Sequence, residues 1–212
     1  MGLDPDELFT ITRHAKVAQV CYALASLGST VDGFVDAAKA YDFSQHGTVV
    51  DVGGGLGGFL VAIRRQHPSV RGVLFDLPRV VADAPAFLAA HPESDAIDVV
   101  GGDLFTGLPA GADAYVFSTV LRCFDDDACV AALRAVAQVV TPAGRVLALE
   151  MVMPDGVPDE PSGLADIYAM AVYGGRDRTE DEWAALLAEG GFAAPTFHRV
   201  DDSYAVVEAP LG

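Results

Sequence analysis

The stretch TVVDVGGGLGG, residues 48–58, decides the fold. Its first half is a β-branched apolar run typical of a buried strand, and its second half is rich in glycine. Apolar residues recur at helical spacing over residues 59–63, and a second apolar run, residues 73–78, contains Asp76. This order predicts a strand, a tight turn, a helix and a second strand.

The turn between the first strand and the helix has the properties of a nucleotide-binding cradle. Glycines let the backbone approach a ligand closely, and the amino end of the helix offers free N–H groups. Asp76, at the end of the second strand, can accept hydrogen bonds from both hydroxyls of a ribose. A glycine-rich turn without a ligand is the alternative.

The glycines alone do not identify the nucleotide. Gly53, Gly55 and Gly57 fit one spacing, whereas Gly53, Gly55 and Gly58 also fit the dinucleotide fingerprint. The carboxylate of Asp51, just before the glycines, is poorly placed against a pyrophosphate and well placed near the ammonium of an amino-acid-bearing nucleoside. The pattern therefore favours S-adenosylmethionine over NAD.

The composition limits the classes of partner. The 212-residue chain has a formal net charge of −17 with only 13 Lys and Arg residues, so neither a nucleic-acid partner nor an anionic membrane is expected. Its three cysteines lack paired zinc spacing and an even count, which predicts free thiols in a reducing compartment. With no long apolar run and no signal pattern, the expectation is one soluble, cytoplasmic domain.

Two further strand ends carry acidic residues. A strand over residues 97–100 leads to Asp103 and Phe105, which suit an adenine, although an ordinary turn whose aspartate accepts local N–H groups is the alternative. The next strand leads to three aspartates, residues 125–127, which are predicted to cap a helix over about residues 128–140. The alternative function for these aspartates is to bind a metal ion, which is disfavoured because no histidine lies nearby in sequence.

The last strands complete the predicted sheet. A strand over residues 145–151 carries Glu150, a lone acid among apolar neighbours that needs a partner or a function. Two final strands, over about residues 196–200 and 203–208, are expected to pair as an antiparallel hairpin at the edge of the sheet.

Helices are predicted between and before these strands. One helical region is expected from about Asp4 to Ala40, and another from Pro78 to about Ala90. Thr179 followed three residues later by Glu182 is a capping box, which predicts the start of the last helix.

Six segments, in this order along the chain, match the motifs of one enzyme family: VDVGGG at 50–55, FDLP at 75–78, GDLF at 102–105, LRCFDD at 121–126, LE at 149–150 and GGRDRTE at 174–180. From Tyr41 to the end, the chain resembles the catalytic domain of class I S-adenosylmethionine-dependent O-methyltransferases, the type that includes plant phenolic and actinobacterial polyketide-tailoring enzymes. The resemblance covers about four fifths of the chain.

The resemblance implies a fold and a cofactor pocket. The fold would be α/β, a Rossmann-like, doubly wound, seven-stranded and mostly parallel sheet with an antiparallel C-terminal strand. Residues 1–40 would form a short helical segment and residues 41–212 the S-adenosylmethionine-binding domain. The residues expected at the cofactor are Asp51, Gly53, Gly55, Asp76, Leu77, Asp103, Leu104, Phe105 and Ser118.

The resemblance also implies a catalytic group, with one departure. The family's usual general base is a histidine in a Leu-His-Asp-Trp segment, and here Arg122 stands at that place. Arginine cannot take a proton near neutral pH, so Arg122 would stabilise a phenolate while proximity to the methyl donor drives transfer. Glu150 matches one of the two acids that flank the base, and Asp177 stands where the other is usually a glutamate.

The expected function is methyl transfer to a hydroxyl of an aromatic or polyketide-like small molecule in secondary metabolism. The alternatives are non-methylating tailoring chemistry on the same fold, such as hydroxylation, decarboxylation or cyclisation, and a non-catalytic partner subunit. Family members carry an N-terminal winged-helix domain that is not recognised here, so the expected partners are a second copy in a homodimer or a separate chain that supplies this domain.

Overall fold

The structure, a computed structural model, describes residues 31–158 and 160–212, and a mixed sheet of eight strands lies at its centre. The strands are β1 (Thr48–Val52), β2 (Arg71–Asp76), β3 (Ile97–Gly101), β4 (Ala114–Ser118), β5 (Arg145–Met153), β6 (Arg178–Thr179), β7 (Thr196–Arg199) and β8 (Tyr204–Pro210). Their order is β3-β2-β1-β4-β5-β8-β7, and β6 pairs with β5 outside this path. Strands β1 to β5 are parallel to one another, and β8 is antiparallel to both of its neighbours.

Helices flank the sheet. The α-helices are α1 (Val35–Ala40), α2 (Gly58–Gln66), α3 (Pro78–Val81), α4 (Ala84–Leu88), α5 (Asp126–Val139), α6 (Glu160–Tyr173) and α7 (Glu180–Glu189). A short 3-10 turn at Leu121–Cys123 follows β4. Among the described helices, none combines the length and the apolar character that crossing a membrane requires.

The core lies on both faces of the sheet because buried strands alternate their side chains. On β1, Val50 and Val52 belong to an apolar cluster that includes residues of α5 and α7. Val49, on the opposite face, belongs to a second cluster that includes α2. Burying both faces under helices is typical of a doubly wound sheet. The predicted Rossmann-like architecture is thereby confirmed.

The final hairpin is antiparallel and lies at the edge of the sheet, as predicted. Within it, β7 is the edge strand, whereas β8 lies between β5 and β7 and is hydrogen-bonded on both sides. Five of the seven residues of β8 are apolar and four are buried, as expected for an interior strand. The hairpin turn fixes the pairing of β7 with β8 but carries no information about which of the two meets β5.

Two predicted helices differ in the structure. The helix expected from Pro78 to Ala90 is two short helices, α3 and α4, because Pro85 has no N–H to bond the carbonyl of Val81. Of the helical region expected up to Ala40, residues 31–40 are a 3-10 turn and α1, and the rest lies outside the described residues. The capping box of Thr179 and Glu182 is confirmed.

The helix after the aspartate run is capped as predicted, although it starts at Asp126. The side chain of Asp125 accepts a 2.9 Å hydrogen bond from the N–H of Ala128. We expect Asp125→Ala to lower the free energy of unfolding by about 1 kcal/mol, because the helix loses its N-cap. Thermal denaturation would measure this, with Asp127→Ala as the control, since Asp127 is exposed in the first turn and does not cap. Equal losses in both variants would contradict the assignment.

Candidate active site

The glycine turn after β1 has a backbone that side chains would obstruct. Gly53, Gly55 and Gly57 have φ angles of 74°, 62° and 93°, in the left-handed region that favours glycine. A Cβ on Gly53 would lie 2.8 Å from a methyl group of Val120. Gly57 precedes α2, and no side chain caps this helix. The turn therefore exposes backbone N–H groups at the start of a helix.

Asp76 connects the glycine turn to the end of β2. One carboxylate oxygen accepts the N–H of Gly55 at 2.9 Å, and the other accepts the N–H of Leu77 at 2.6 Å. Burial raises the pKa of Asp76, and these two N–H groups oppose that rise. Both oxygens are thereby fixed in orientation and keep a second acceptor position.

Asp51 is enclosed beneath the same turn. It is 0% exposed, and neither carboxylate oxygen has a hydrogen-bond partner within the described chain. Burial, with the charge of Asp76, raises the pKa of Asp51 to about 8. A Cβ on Gly54 would lie 2.5 Å from one of these oxygens, so the turn closes directly over the carboxyl group.

The end of β3 lies beside Asp76, and the loop that follows β3 contacts the segment after β4. The N–H of Gly102 bonds the carbonyl oxygen of Asp76 at 2.9 Å. Asp103 is exposed and accepts the N–H of Phe105 at 2.9 Å, which is the local turn considered as the alternative for this residue. The ring of Phe105, 48% exposed, lies edge-on to Phe124 with centroids 5.5 Å apart. Their role toward a ligand stays a prediction.

Arg122, in the turn after β4, is held by two partners. Its Nη2 donates to Asp177 at 2.7 Å and to the carbonyl oxygen of Ala165 on α6 at 3.0 Å. The side chain of Arg122 is 16% exposed and that of Asp177 is 0% exposed. The guanidinium therefore joins α6 to the segment before β6.

Glu150 fixes the same turn from β5. Its Oε1 accepts the N–H of Leu121 at 2.8 Å, and the residue is 1% exposed. Burial raises the pKa of Glu150 to about 8, although Arg122 and this N–H lower it. Thr119, two residues before the turn, has a φ of 56°, unusual for a residue with a side chain. The three predicted catalytic residues thus form one connected group.

Gly175 and Arg178 hold the segment before β6 against this turn. A Cβ on Gly175 would collide with the backbone from Arg122 to Phe124, so only glycine fits there. Arg178, 1% exposed, donates to the carbonyl oxygens of Leu121 and Phe124 at 3.3 and 3.1 Å. It also bonds Asp126 through two nitrogens, at 3.0 and 2.8 Å. This carboxylate, one of those considered for a metal, is therefore an arginine partner.

The predicted residues fall into two neighbouring groups. The turn and Asp76 form one group, and Arg122, Glu150 and Asp177 form the other, with Val120 against Gly53 between them. Their buried polar atoms without a hydrogen-bond partner in the described chain are both oxygens of Asp51, Ser118 Oγ, Arg122 Nε, Glu150 Oε2 and Asp177 Oδ1. Such atoms are costly to bury unless something satisfies them. Their concentration at one end of the sheet indicates a ligand site.

A protein-family comparison matches residues 11–193 to the O-methyltransferase domain. The chain belongs to this family. Phenazine O-methyltransferase PhzM of Lysobacter antibioticus is 36% identical over 199 residues, 94% of this chain and 58% of that protein. O-demethylpuromycin-O-methyltransferase of Streptomyces alboniger is 40% identical over 157 residues, 73% of this chain and 42% of that protein.

A solved structure of the family is also similar to this O-methyltransferase domain. It is NcsB1, an O-methyltransferase from neocarzinostatin biosynthesis, in complex with S-adenosyl-L-homocysteine and 1,4-dihydroxy-2-naphthoic acid. The TM-score is 0.76 at 34% identity, over 83% of this chain and 52% of that chain. The chain spans about half the length of these relatives.

Two residues of the O-methyltransferase domain near Arg122 were not predicted from the sequence. Asp166 on α6 accepts the N–H of Asp177 at 2.8 Å. Tyr204, at the start of β8, pairs with Met151 next to Glu150, and its pKa is raised by burial. A sequence prediction that paired β8 with β5 would have placed Tyr204 beside Met151, next to Glu150.

A cavity of about 390 Å³ lies next to this group. It is lined by Met151, Ser162, Asp201, Asp202, Ser203 and Tyr204. Within the described ranges, no cluster of three or more His, Cys, Asp and Glu side chains could hold a metal ion.

Proposed function

We propose that this domain transfers a methyl group from S-adenosylmethionine to a hydroxyl of an aromatic or polyketide-like small molecule, in the secondary metabolism that produces antibiotics. The observation that carries the proposal is the position of Asp76. Its oxygens are aligned by the N–H groups of Gly55 and Leu77 at the mouth of the glycine turn. A carboxylate fixed there suits the two hydroxyls of a ribose.

The remaining residues fit the cofactor in their chemistry. The ammonium of its amino-acid part would pair with the unpartnered oxygens of Asp51, and Ser118 Oγ would gain a partner nearby. Leu77, Leu104 and Phe105 would cover the adenine, with Asp103 as acceptor for its amine. When bound, S-adenosylmethionine supplies a methyl group carried on a positively charged sulfur. The chain's own part is to hold the acceptor oxygen in line with that group.

The acceptor fits the cavity lined by Met151 and Tyr204, which pair with each other next to Glu150. Its volume of about 390 Å³ lies within the range of small-molecule sites, roughly 300–1,000 Å³. The relatives are named as O-methyltransferases of phenazine and of O-demethylpuromycin, and NcsB1 was solved with 1,4-dihydroxy-2-naphthoic acid. These names support an aromatic acceptor here. Because they are methyltransferases, they do not favour the non-methylating or non-catalytic alternatives.

Calorimetry on the 212-residue chain tests the proposal. We expect S-adenosylmethionine and S-adenosylhomocysteine each to bind at one site per chain and to compete. NAD is the matched control ligand and is expected not to bind, because the acid Asp51, buried directly beneath the glycine turn, disfavours a pyrophosphate above that turn. Failure of both sulfur-containing ligands to bind, with the chain shown to be folded, would overturn the proposed function.

We further propose that residues 41–212 are the cofactor-binding domain, residues 1–40 a helical segment, and that a second copy or a separate chain covers the site. Apolar side chains exposed on α6 support a covering surface: Leu164, Ile167, Tyr168 and Met170. A cytoplasmic location is supported by the cysteine pattern, since neither of the described cysteines, Cys123 and Cys129, is in a disulfide.

A further inference from the structure

Arg122 cannot accept the proton that the acceptor hydroxyl must lose before it is methylated. A guanidinium carries five donors and no acceptor. Of the two acids beside it, Asp177 is paired with the guanidinium at 2.7 Å. Glu150 accepts the N–H of Leu121 through Oε1 at 2.8 Å, and its buried Oε2 has no partner within the described chain, but burial raises the pKa of Glu150 to about 8, so this acid is mostly protonated at neutral pH. Protonating Asp177 would break a buried ion pair, which is unfavourable. The group positions the acceptor without offering a base.

The described histidines lie elsewhere. His46 contacts Tyr41, His67 lies near Asp42, His91 packs on Phe87 and His198 contacts Glu208. Within residues 31–158 and 160–212, no histidine therefore replaces the missing base at the turn after β4. His14 lies outside the described residues and is tested separately below.

We propose that this domain takes its acceptor as the anion of an acidic hydroxyl, such as a phenol with an electron-withdrawing substituent or an enolised ketone, and that Arg122 stabilises this anion. The inference rests on the proposed function and names its substrate class. Arg122 Nε is buried and has no hydrogen-bond partner within the described chain, so a donor remains for an oxyanion. The hydroxyl loses its proton to water before it reaches the site.

The charges around Arg122 permit an anion to bind. The groups that face it are Glu150 on β5, Tyr204 on β8, Asp177 before β6 and Cys123 in its own turn, with Asp166 and Arg178 next to Asp177. Burial keeps Glu150 protonated at neutral pH, since its pKa is raised to about 8. Arg122 and Asp177 then cancel, so a phenolate meets a group with no net charge. The aspartates of the cavity rim, Asp201 and Asp202, are exposed and screened by water.

The transfer step balances without a protein base. A lone pair of the acceptor oxygen forms the bond to the methyl carbon as the carbon–sulfur bond breaks, and that electron pair stays on sulfur. The negative charge of the oxygen and the positive charge of the sulfur disappear together. No proton moves in this step.

The pH dependence of methyl transfer tests the inference. The acceptors would be a series of phenols of one size, namely 4-nitrophenol, 4-chlorophenol and 4-methylphenol, with radiolabelled S-adenosylmethionine as donor. We expect the rising limb of kcat/KM to follow the pKa of each phenol, because only the phenolate reacts. In Arg122→His, which restores a base, the limb is expected near the ordinary histidine pKa of about 6.5 for all three phenols.

A falling limb reports on Glu150. With 4-nitrophenol, the most acidic of the three phenols, ionised Glu150 would repel the phenolate above about pH 8, so kcat/KM should fall. The rising limbs of the two weaker acids are measured in Glu150→Gln, where this fall does not overlap them. In Glu150→Gln this fall is expected to disappear, since the amide keeps an acceptor for the N–H of Leu121 and does not ionise. A fall of the same size in Glu150→Gln would contradict the positioning role given to this acid.

A spectrum of bound 4-nitrophenol gives a readout that does not require turnover. With S-adenosylhomocysteine present, we expect wild-type protein to lower the pKa of the bound phenol by about 1 to 3 units, because the unpartnered Nε–H of Arg122 would donate a hydrogen bond to the phenolate. Arg122→Gln should abolish this shift, and Arg122→Lys should retain part of it. An unshifted phenol on wild-type protein would overturn the inference.

The remaining outcomes separate this inference from the proposed function. If S-adenosylmethionine binds and one protein group sets the rising limb for every phenol, the substrate class is wrong and the proposed function stands. If His14→Ala removes that limb, His14 is the base and the inference fails in the same way. If the cofactor does not bind at all, the proposed function itself fails.

Discussion

Asp76→Ala is expected to weaken binding of S-adenosylmethionine by about 100-fold or more. Each hydrogen bond to a charged group contributes about 1.5–3 kcal/mol, and two ribose hydroxyls lose their acceptor. The substitution also removes the 2.9 Å bond that holds the N–H of Gly55 and the 2.6 Å bond to Leu77. The glycine turn then loses the contact that fixes it against the end of β2. Calorimetry with S-adenosylmethionine would measure the change.

Two further variants make the test of Asp76 specific. Asp98→Ala removes an exposed aspartate of β3 that pairs with Arg71 at 3.2 Å, and it should leave the affinity unchanged. Asp76→Asn keeps one acceptor oxygen and should give an intermediate loss. Thermal denaturation of each variant shows whether the chain is folded. Wild-type affinity in folded Asp76→Ala protein would show that this residue does not hold the ribose.

Arg178→Met is expected to lower the free energy of unfolding by roughly 3 kcal/mol, or Tm by roughly 10 °C for a chain of this size. The side chain is 1% exposed and bonds Asp126 and the carbonyl oxygens of Leu121 and Phe124. Methionine keeps much of the apolar length and none of the donors. The two carbonyl groups would be left without this donor, and water could solvate only the half-exposed Asp126.

Arg176→Met is the matched control for Arg178→Met. Arg176 shares Asp126 and also pairs with Glu182, but its side chain is 36% exposed. An exposed ion pair contributes about 0–1 kcal/mol, so the expected loss is small. Denaturation of both variants by heat or urea would compare them. Equal losses would show that burial does not distinguish the two arginines.

The glycine turn and its acid could be predicted from the sequence because their signals are local. The left-handed φ angles of Gly53, Gly55 and Gly57 follow from residue type, and a strand of alternating buried residues places Asp76 at its end. The caps at Asp125 and Thr179 span only three residues each. Glycine φ angles and helix caps depend on residues only a few positions apart, so the sequence is sufficient to predict them.

The state of the predicted catalytic residues depends on contacts that are distant in sequence. Arg122 meets Asp177 across 55 residues, and Glu150 meets the turn of Leu121 across 29. Tyr204 joins them only because β8 lies between β5 and β7. The pKa of a buried acid is set by desolvation and by the charges that the fold places around it. The sequence by itself therefore determined the cradle and the family, whereas only the tertiary structure decided that Arg122 is paired, that Glu150 is buried, and which charges meet the acceptor.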